Sequence, residues 1–157
     1  MIFAMHGPLA DLLGEWSRGL NTGSVLLRIA LAVLLASVIG CERSSKRHSA
    51  GLRTFVLVSF ASTVSMLLDV YLMSNFGARL PILSAALVSG NAILFSSRSQ
   101  IKGLTTSTGL WACSILGFAI GAGLYTVTGI VFLFFLCILA CFPAFEQYLN
   151  CLLYTSD

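Results

Sequence analysis

Residues 23–40 read GSVLLRIALAVLLASVIG, an apolar run interrupted by a single charged residue, Arg28. A helix of this length reaches about 27 Å at 1.5 Å per residue. The hydrocarbon core of a bilayer is about 30 Å thick. The run therefore predicts a membrane-spanning helix, the first in the chain.

The rest of the chain repeats this pattern of apolar runs separated by short polar segments. Hydrophobic residues make up 57% of the 157 residues and charged residues only 10%, whereas a soluble domain carries about 25% charged residues. A soluble fold could not bury this much apolar surface, so lipid is the expected solvent. The predicted spans are residues 23–40, 54–73, 81–95, 106–125 and 127–142. We therefore expect an all-α membrane protein, a bundle of about five transmembrane helices.

The basic residues of the polar segments predict the orientation of this bundle. They crowd the first and third predicted loops, whereas the second loop has only Arg79. Because loops rich in Lys and Arg stay in the cytoplasm, we expect the N-terminus outside and the C-terminus in the cytoplasm. The basic residues of the two inside loops are Arg43, Lys46, Arg47, Arg53, Arg98 and Lys102.

The segments outside residues 23–142 are expected to be minor parts of the fold. Residues 1–22 predict an interfacial segment on the outer surface, and residues 143–150 predict the start of a cytoplasmic tail. Residues 151–157, CLLYTSD, are the translation of TGT CTC TTA TAC ACA TCT GAC, the end of a widely used transposase-based sequencing adapter. We expect them to be library sequence fused to a truncated reading frame, and we leave them out of the fold prediction.

Ionisable residues near the spans predict two ion pairs, because an unpaired charge in lipid is costly. If the first two spans form an antiparallel hairpin, Arg28 lies at about the depth of Asp69, and Glu42 at about the depth of Arg53. Arg28 and Glu42 also share one side of the first helix, since 14 residues are close to four turns. Either this polar seam is a site for an ion or a proton, or the pairs only neutralise charge and snorkel at the interface.

Small residues predict where helices approach each other closely. Gly109, Cys113, Gly117 and Gly121 recur at every fourth position and form a ridge on the fourth span. Such a ridge lets another helix lie with its backbone close by, so we expect the fourth span to be central. Gly90 and Asn91 in the short third span suggest a second close contact.

Sites of enzymatic, metal-binding and nucleic-acid-binding proteins are not predicted. The two histidines, His6 and His48, lie near the terminus and in the basic loop, and no nucleophile has a plausible base. The five cysteines lack the spacing of a zinc site, and no basic face carries interleaved aromatic residues. We expect a non-enzymatic protein with no catalytic residue, no metal site, no cofactor and no nucleic-acid partner.

Six short features occur in order along residues 28–125 and together resemble the membrane domain of the MgtC/SapB family. Two departures stand out: the family usually has Gly-Ala-Gly at positions 90–92, and often His at the position of Phe55. The features are Arg28, Gly40-Cys41-Glu42-Arg43, Ala50-Gly51-Leu52-Arg53-Thr54, Gly90-Asn91-Ala92-Ile93-Leu94, Lys102-Gly103-Leu104-Thr105-Thr106 with Leu110-Trp111, and Gly121-Ala122-Gly123-Leu124-Tyr125.

The resemblance implies a multi-pass protein of the bacterial inner membrane. It implies a role in adaptation to low magnesium and in survival inside host cells, hence in virulence. The expected action is regulation of other membrane machinery, such as the membrane sector of ATP synthase. The expected partners are therefore membrane lipid and another integral membrane protein, and we also consider association between copies of the chain.

Two functions are weighed, a regulator and a transport component. The first is a regulator whose working surface is the polar cluster Glu42, Arg43, Arg53, Lys102 and Thr105, with Glu42 paired to Arg53 and with Arg43 and Lys102 facing water or lipid phosphate. The alternative is a Mg²⁺ transport component that uses the polar seam. Cation sites are built from several oxygen ligands, and the spans offer only Asp69 and, at an edge, Glu42, which favours the regulator.

Overall fold

The computed structural model describes residues 12, 14–17, 19–45, 51–96 and 104–154. Over these residues the chain forms five α-helices and no β-strand, which confirms the predicted all-α class. A 3₁₀ turn at Glu15–Ser17 precedes the first helix. The helices are α1 (Thr22–Ser45), α2 (Leu52–Phe76), α3 (Ile82–Ser96), α4 (Leu104–Gly121) and α5 (Tyr125–Tyr154).

Three of the described helices are long and apolar enough to cross a membrane. They are α1, α2 and residues 125–151 of α5, with mean hydropathies of 2.3, 1.9 and 2.5. α3 has 15 residues and reaches only about 22 Å at 1.5 Å per residue, as its short apolar run predicts. The chain is thus built as a helical membrane protein.

Glycines set two of the helix ends. α2 ends at Phe76, just before Gly77, whose φ of 67° is in the left-handed region. α4 ends in a Schellman motif in which Gly123, with φ of 82°, donates to the carbonyl of Ile120 and Leu124 donates to that of Ala119. This turn explains why α4 ends at Gly121, earlier than the predicted Tyr125.

The core lies where α1, α2 and α4 meet, and α4 contacts all four other helices. The central position predicted for the fourth span is therefore confirmed. Phe55 is fully buried in this core. It stands at the position where the family that the chain resembles often has His. The buried cluster comprises Ala36, Ile39, Phe55, Leu110, Cys113, Leu116 and Leu139.

Candidate functional site

Arg28 forms a buried hydrogen-bond node at one end of the bundle. Its Nη1 donates to the carbonyl of Gly121 at 2.8 Å, and its Nη2 donates to the carbonyl of Ser17 at 3.1 Å. Its Nε donates to the hydroxyl of Tyr125 at 3.2 Å, and this hydroxyl in turn donates to the Ser17 carbonyl. One guanidinium thus connects the turn before α1, the end of α4 and the start of α5.

The shape of the α4–α5 turn explains why Arg28 fits there. The last carbonyls of a helix lack intrahelical partners and carry partial negative charge. The Schellman bonds satisfy the carbonyls of Ala119 and Ile120, and Arg28 satisfies the carbonyl of Gly121. A Cβ added to Gly123 would lie 3.1 Å from Nη2 of Arg28, so the turn closes directly over the guanidinium.

Asp69 is buried at the same end of the bundle and caps α3. One of its carboxylate oxygens accepts the N–H of Leu83 at 3.0 Å, and the other accepts the N–H of Ser84 at 2.6 Å. The first amides of a helix lack intrahelical partners, and Pro81, immediately before α3, has no capping side chain. Asp69 lies on α2 and therefore caps the N-terminus of α3 in the way that an N-cap aspartate caps its own helix.

The predicted ion pair between Arg28 and Asp69 is wrong. The register of α1 against α2 differs from the predicted one, because Ser59 donates to the carbonyl of Ala32 and Gly40 lies against Leu52. By this register Arg28 is level with about residue 63, which puts Asp69 about six residues, or ~9 Å, farther along α2. Each charged group instead binds main-chain atoms at the end of a neighbouring helix.

Arg43 occupies the opposite end of the bundle and is also buried. Its Nη2 donates to the carbonyl of Thr105 in the first turn of α4 at 2.8 Å, while the Thr105 side chain is exposed. The prediction that Arg43 faces water or lipid phosphate is therefore wrong. Arg28 and Arg43 lie about 22 Å apart along α1, so the two arginines tie α1 to both ends of the antiparallel α4.

The remaining members of the predicted polar cluster are only partly brought together. Glu42 is part-exposed and interacts electrostatically with Arg43. Arg53 is exposed in the first turn of α2, and the structure, which describes both residues, shows no ion pair between Arg53 and Glu42. That predicted pair is therefore also wrong. Lys102 lies outside the described residues.

The fourth-span ridge packs against α2. A Cβ added to Gly117 would lie 2.6 Å from the carbonyl oxygen of Ser59, and one added to Gly121 would lie 2.8 Å from that of Thr63. Gly109 lies beside the ring of Phe55. These backbones are so close that no side chain fits between them.

A second close approach, between α1 and α2, was not predicted as a packing contact. A Cβ added to Gly40 would lie 2.8 Å from Cα of Leu52. Gly40 was singled out only as part of a motif. Its position at the end of an apolar run, before a polar turn, is the signal that could have identified the contact.

The close contact predicted at Gly90 is not found among the described residues. A Cβ added to Gly90 would meet none of their atoms within 4 Å, so the predicted packing at this glycine is wrong in this part of the chain. Asn91 lies in α3, and its side chain lies outside the described residues.

Buried hydroxyl groups between α2 and α4 were missed by the sequence analysis. The hydroxyls of Ser62 and Ser114 are 2.7 Å apart, and Thr63 donates to the carbonyl of Gly117 at 3.1 Å. Ser and Thr are common where membrane helices pack together, and their side chains form hydrogen bonds from one helix to the next. Ser62 and Thr63 lie on the α2 face that packs against the glycine ridge, whereas Ser114 lies on α4 next to Cys113 of the ridge, so the sequence marks only Ser114 as near the ridge.

Comparisons with known proteins place this architecture in one family. The family model of the MgtC family matches residues 29–148. The chain is similar to protein SapB of Bacillus subtilis (strain 168), with 32% identity over 113 residues, covering 64% of this chain and 49% of SapB. It is also similar to the putative magnesium transporter YhiD of Escherichia coli (strain K12), with 31% identity over 115 residues, covering 66% of this chain and 54% of YhiD.

Protein MgtC of Salmonella typhimurium (strain 14028s) is a further relative, with 29% identity over 100 residues, covering 62% of this chain and 43% of MgtC. The chain spans about half the length of the curated relatives it matches. No solved structure gave a significant match.

Proposed function

Because the chain belongs to the MgtC family, we propose that it is a multi-pass protein of the bacterial inner membrane that regulates other membrane machinery without being an enzyme. Its proposed role is adaptation to low magnesium and survival inside host cells. The N-terminus lies outside and all five helices reside in the membrane. Membership of the family and the three long apolar helices support a membrane protein. The orientation and the number of helices in the membrane are part of the proposal.

The observation that carries this proposal is how the charged groups at the outer end are used. Arg28 binds the carbonyls of Ser17 and Gly121, and both oxygens of Asp69 accept amides of α3. A Mg²⁺ site needs oxygen ligands that are available to the ion or to its waters. Both oxygens of Asp69 already accept hydrogen bonds from amides of α3. This supports a protein that acts as a scaffold and is recognised by another protein.

The proposed working surface is the cytoplasmic end, formed by Glu42, Arg43, Arg53, Lys102 and Thr105. Arg43 fixes the end of α1 to the first turn of α4. Arg53 and the side chain of Thr105 are exposed at the same end of the bundle. A rigid base with exposed polar groups around it is suited to recognition by a partner at the membrane surface.

The proposed partner is another integral membrane protein, with the membrane sector of ATP synthase as the member that the family suggests. A regulator in lipid contacts its partner through helix faces. α5 supports this idea, because it packs only sparsely on α1 and α4 and leaves large apolar side chains exposed, among them Leu133, Phe134 and Phe142. Lipid, the partner or a second copy of the chain covers this face.

A second candidate function is transport of Mg²⁺ along the seam between helices. What favours it is the description of a relative, YhiD, as a putative magnesium transporter. The two candidates differ in whether the purified chain alone moves the ion.

The test is a Mg²⁺ flux assay together with a growth assay. The full chain is reconstituted in liposomes that contain a Mg²⁺-sensitive dye, and is also expressed in a strain that lacks its own family member. A regulator restores growth in low magnesium while the liposomes show no flux above empty controls. Flux that depends on the protein would support the transporter instead, and failure to restore growth at normal membrane levels would contradict the regulator.

A further inference from the structure

One face of α4 is left open by the rest of the bundle. Thr105, Thr108, Trp111 and Ile115 are exposed there, and each is three or four residues from the next. Residues at this spacing share one side of a helix. The opposite side of α4 carries the glycine ridge that packs against α2. The open face of α4 therefore lies on the outside of the bundle.

Trp111 lies near the middle of α4. Arg28 and Arg43 on α1 bind the two ends of α4, so α4 runs beside a helix that is long and apolar enough to cross a membrane. Leu104 and Gly121, the first and last residues of α4, lie ~10 Å and ~15 Å from Trp111 along the axis. The indole is therefore far from both membrane interfaces, where Trp is usually found.

The indole N–H of Trp111 has no hydrogen-bond acceptor within the part of the chain that the structure describes. The side chain is 43% exposed, so an acceptor has to come from the surroundings. A donor left unpaired in hydrocarbon costs free energy. Lipid supplies no acceptor near the centre of the bilayer, because its polar groups lie at the two surfaces. A second protein that brings an acceptor to this depth covers the face better than lipid does.

The open face itself carries such an acceptor. Thr108 lies about one turn before Trp111, and a hydroxyl oxygen accepts hydrogen bonds through its lone pairs even when its own hydrogen is donated elsewhere. A helical side chain leans toward the N-terminus of its helix, so the ring of Trp111 leans toward the depth of Thr108. In a pair of copies related by a two-fold axis along the membrane normal, equal residues lie at equal depth. The indole of each copy is then placed to donate to the Thr108 hydroxyl of the other.

The remaining residues of the face also suit a pair of identical chains. The exposed residues of the face carry no charge, so two copies do not repel each other. Ala112 and Ala119 are part-exposed on either side of Ile115, and small residues let two membrane helices approach closely. The face is thus complementary to itself in both hydrogen bonding and shape.

We propose that two copies of the chain pair in the membrane through this face of α4, with Trp111 of each copy donating to Thr108 of the other. The pairing rests on the proposed location of α4 in the membrane. It does not depend on whether the protein is a regulator or a transporter.

The first test is disulfide cross-linking of the full chain in membranes. In a variant without its own cysteines, Ile115→Cys should give a cross-linked pair of chains when a membrane-permeant oxidant is added. Leu34→Cys is the matched control, because Leu34 is 57% exposed on α1 and is as far from Arg28 as Ile115 is from Gly121, the partner of Arg28. Equal cross-linking of the two variants, or none in Ile115→Cys, would overturn the proposal.

The second test measures the hydrogen bond with a double-mutant cycle. Full-length variants are reconstituted in liposomes, and fluorescence energy transfer gives the paired fraction over a range of protein-to-lipid ratios. Trp111→Phe keeps an aromatic ring without the N–H, and Thr108→Val keeps the shape without the hydroxyl. Since the bond occurs twice in a two-fold pair, each change should lower the association constant about eightfold.

Two further variants make this cycle specific. The double variant Trp111→Phe with Thr108→Val should pair no more weakly than either single variant, because both changes remove the same bond. Thr108→Ser keeps the hydroxyl and should pair like the unaltered chain. Unchanged pairing in Trp111→Phe, or additive losses in the double variant, would overturn the proposal.

A carbonate wash of the membranes separates failure of the pairing from failure of the proposed function. A chain that the wash releases is not integral to the membrane, which would contradict both proposals. A chain that stays in the membrane and is monomeric at every protein-to-lipid ratio would contradict the pairing alone. Cross-links from Ile115→Cys to a different membrane protein would instead assign the open face of α4 to that partner.

Discussion

The guanidinium of Arg28 on α1 donates a 2.8 Å hydrogen bond to the carbonyl of Gly121, the last residue of α4. The two residues are 93 positions apart in the chain. Because Gly121 ends a helix, this bond places a positive charge where the helix dipole is negative. The bond therefore contributes to the position of α4 against α1.

Replacing Arg28 should destabilise the bundle strongly. Arg28→Met leaves the buried carbonyl of Gly121 without a donor, at a cost of ~1–3 kcal/mol, and it also removes one donor from the Ser17 carbonyl and one from the Tyr125 hydroxyl. Thermal unfolding of the purified protein in detergent measures the loss. Arg53→Met, a matched change at an exposed arginine, should have little effect. Equal stability of the two variants would contradict the role of the node.

Removing the carboxylate of Asp69 should loosen α3 selectively. Asp69→Ala leaves the amides of Leu83 and Ser84 without acceptors, and loss of a helix cap costs about 0.5–2 kcal/mol. Hydrogen–deuterium exchange should increase in the first turn of α3 and stay unchanged in α1. Asn75→Ala, at an exposed position of α2, is the control. Unchanged exchange at residues 83 and 84 would show that Asp69 does not hold α3.

Two glycine-to-alanine changes should have opposite effects. A Cβ at Gly117 would lie 2.6 Å from the Ser59 carbonyl, whereas one at Gly90 would meet no atom of the described residues within 4 Å. Gly117→Ala should cost ~1–3 kcal/mol by overpacking. Gly90→Ala should be neutral or stabilise by up to ~1 kcal/mol through helix propensity. The unfolding temperatures of the two variants give the comparison, and a tolerated Gly117→Ala would remove the close-packing account.

The small-residue ridge and the ion pairs show what the sequence can and cannot predict here. The four-residue spacing of Gly117 and Gly121 is a property of one helix, so it identifies the packing face without knowledge of the partner. The pairing of Arg28 with Asp69 needs the register between two helices. That register depends on the close approach of Gly40 to Leu52. The prediction compared only the expected depths of the charged residues in the membrane and did not include this contact.

The hydrogen-bond partners of the charged groups also could not be predicted by pairing side chains with one another. Arg28, Arg43 and Asp69 all bind main-chain groups near helix ends. Every residue has such groups, so the sequence does not mark which carbonyl or amide is left without a partner. To predict that Arg28 binds the carbonyl of Gly121, one would first have to know that α4 ends at Gly121.

The proposed orientation predicts which exposed positions can be labelled from outside. In a variant without its own cysteines, Asn21→Cys should react with an impermeant maleimide added to intact cells, and Ser45→Cys should react only after lysis. Both positions are exposed, whereas Ser17 is fully buried and unsuitable for labelling. The reverse pattern would invert the topology and move the proposed working surface to the outside.

The central claim is that the end of the bundle around Arg43 is the working surface and the end around Arg28 is structural. Growth in low magnesium, normalised to the amount of protein in the membrane, tests it most directly. Glu42→Gln and Arg53→Gln should insert at normal levels and reduce growth at least tenfold, whereas Arg79→Gln, an exposed arginine at the opposite end, should support full growth. Full growth with both Glu42→Gln and Arg53→Gln would contradict the claim.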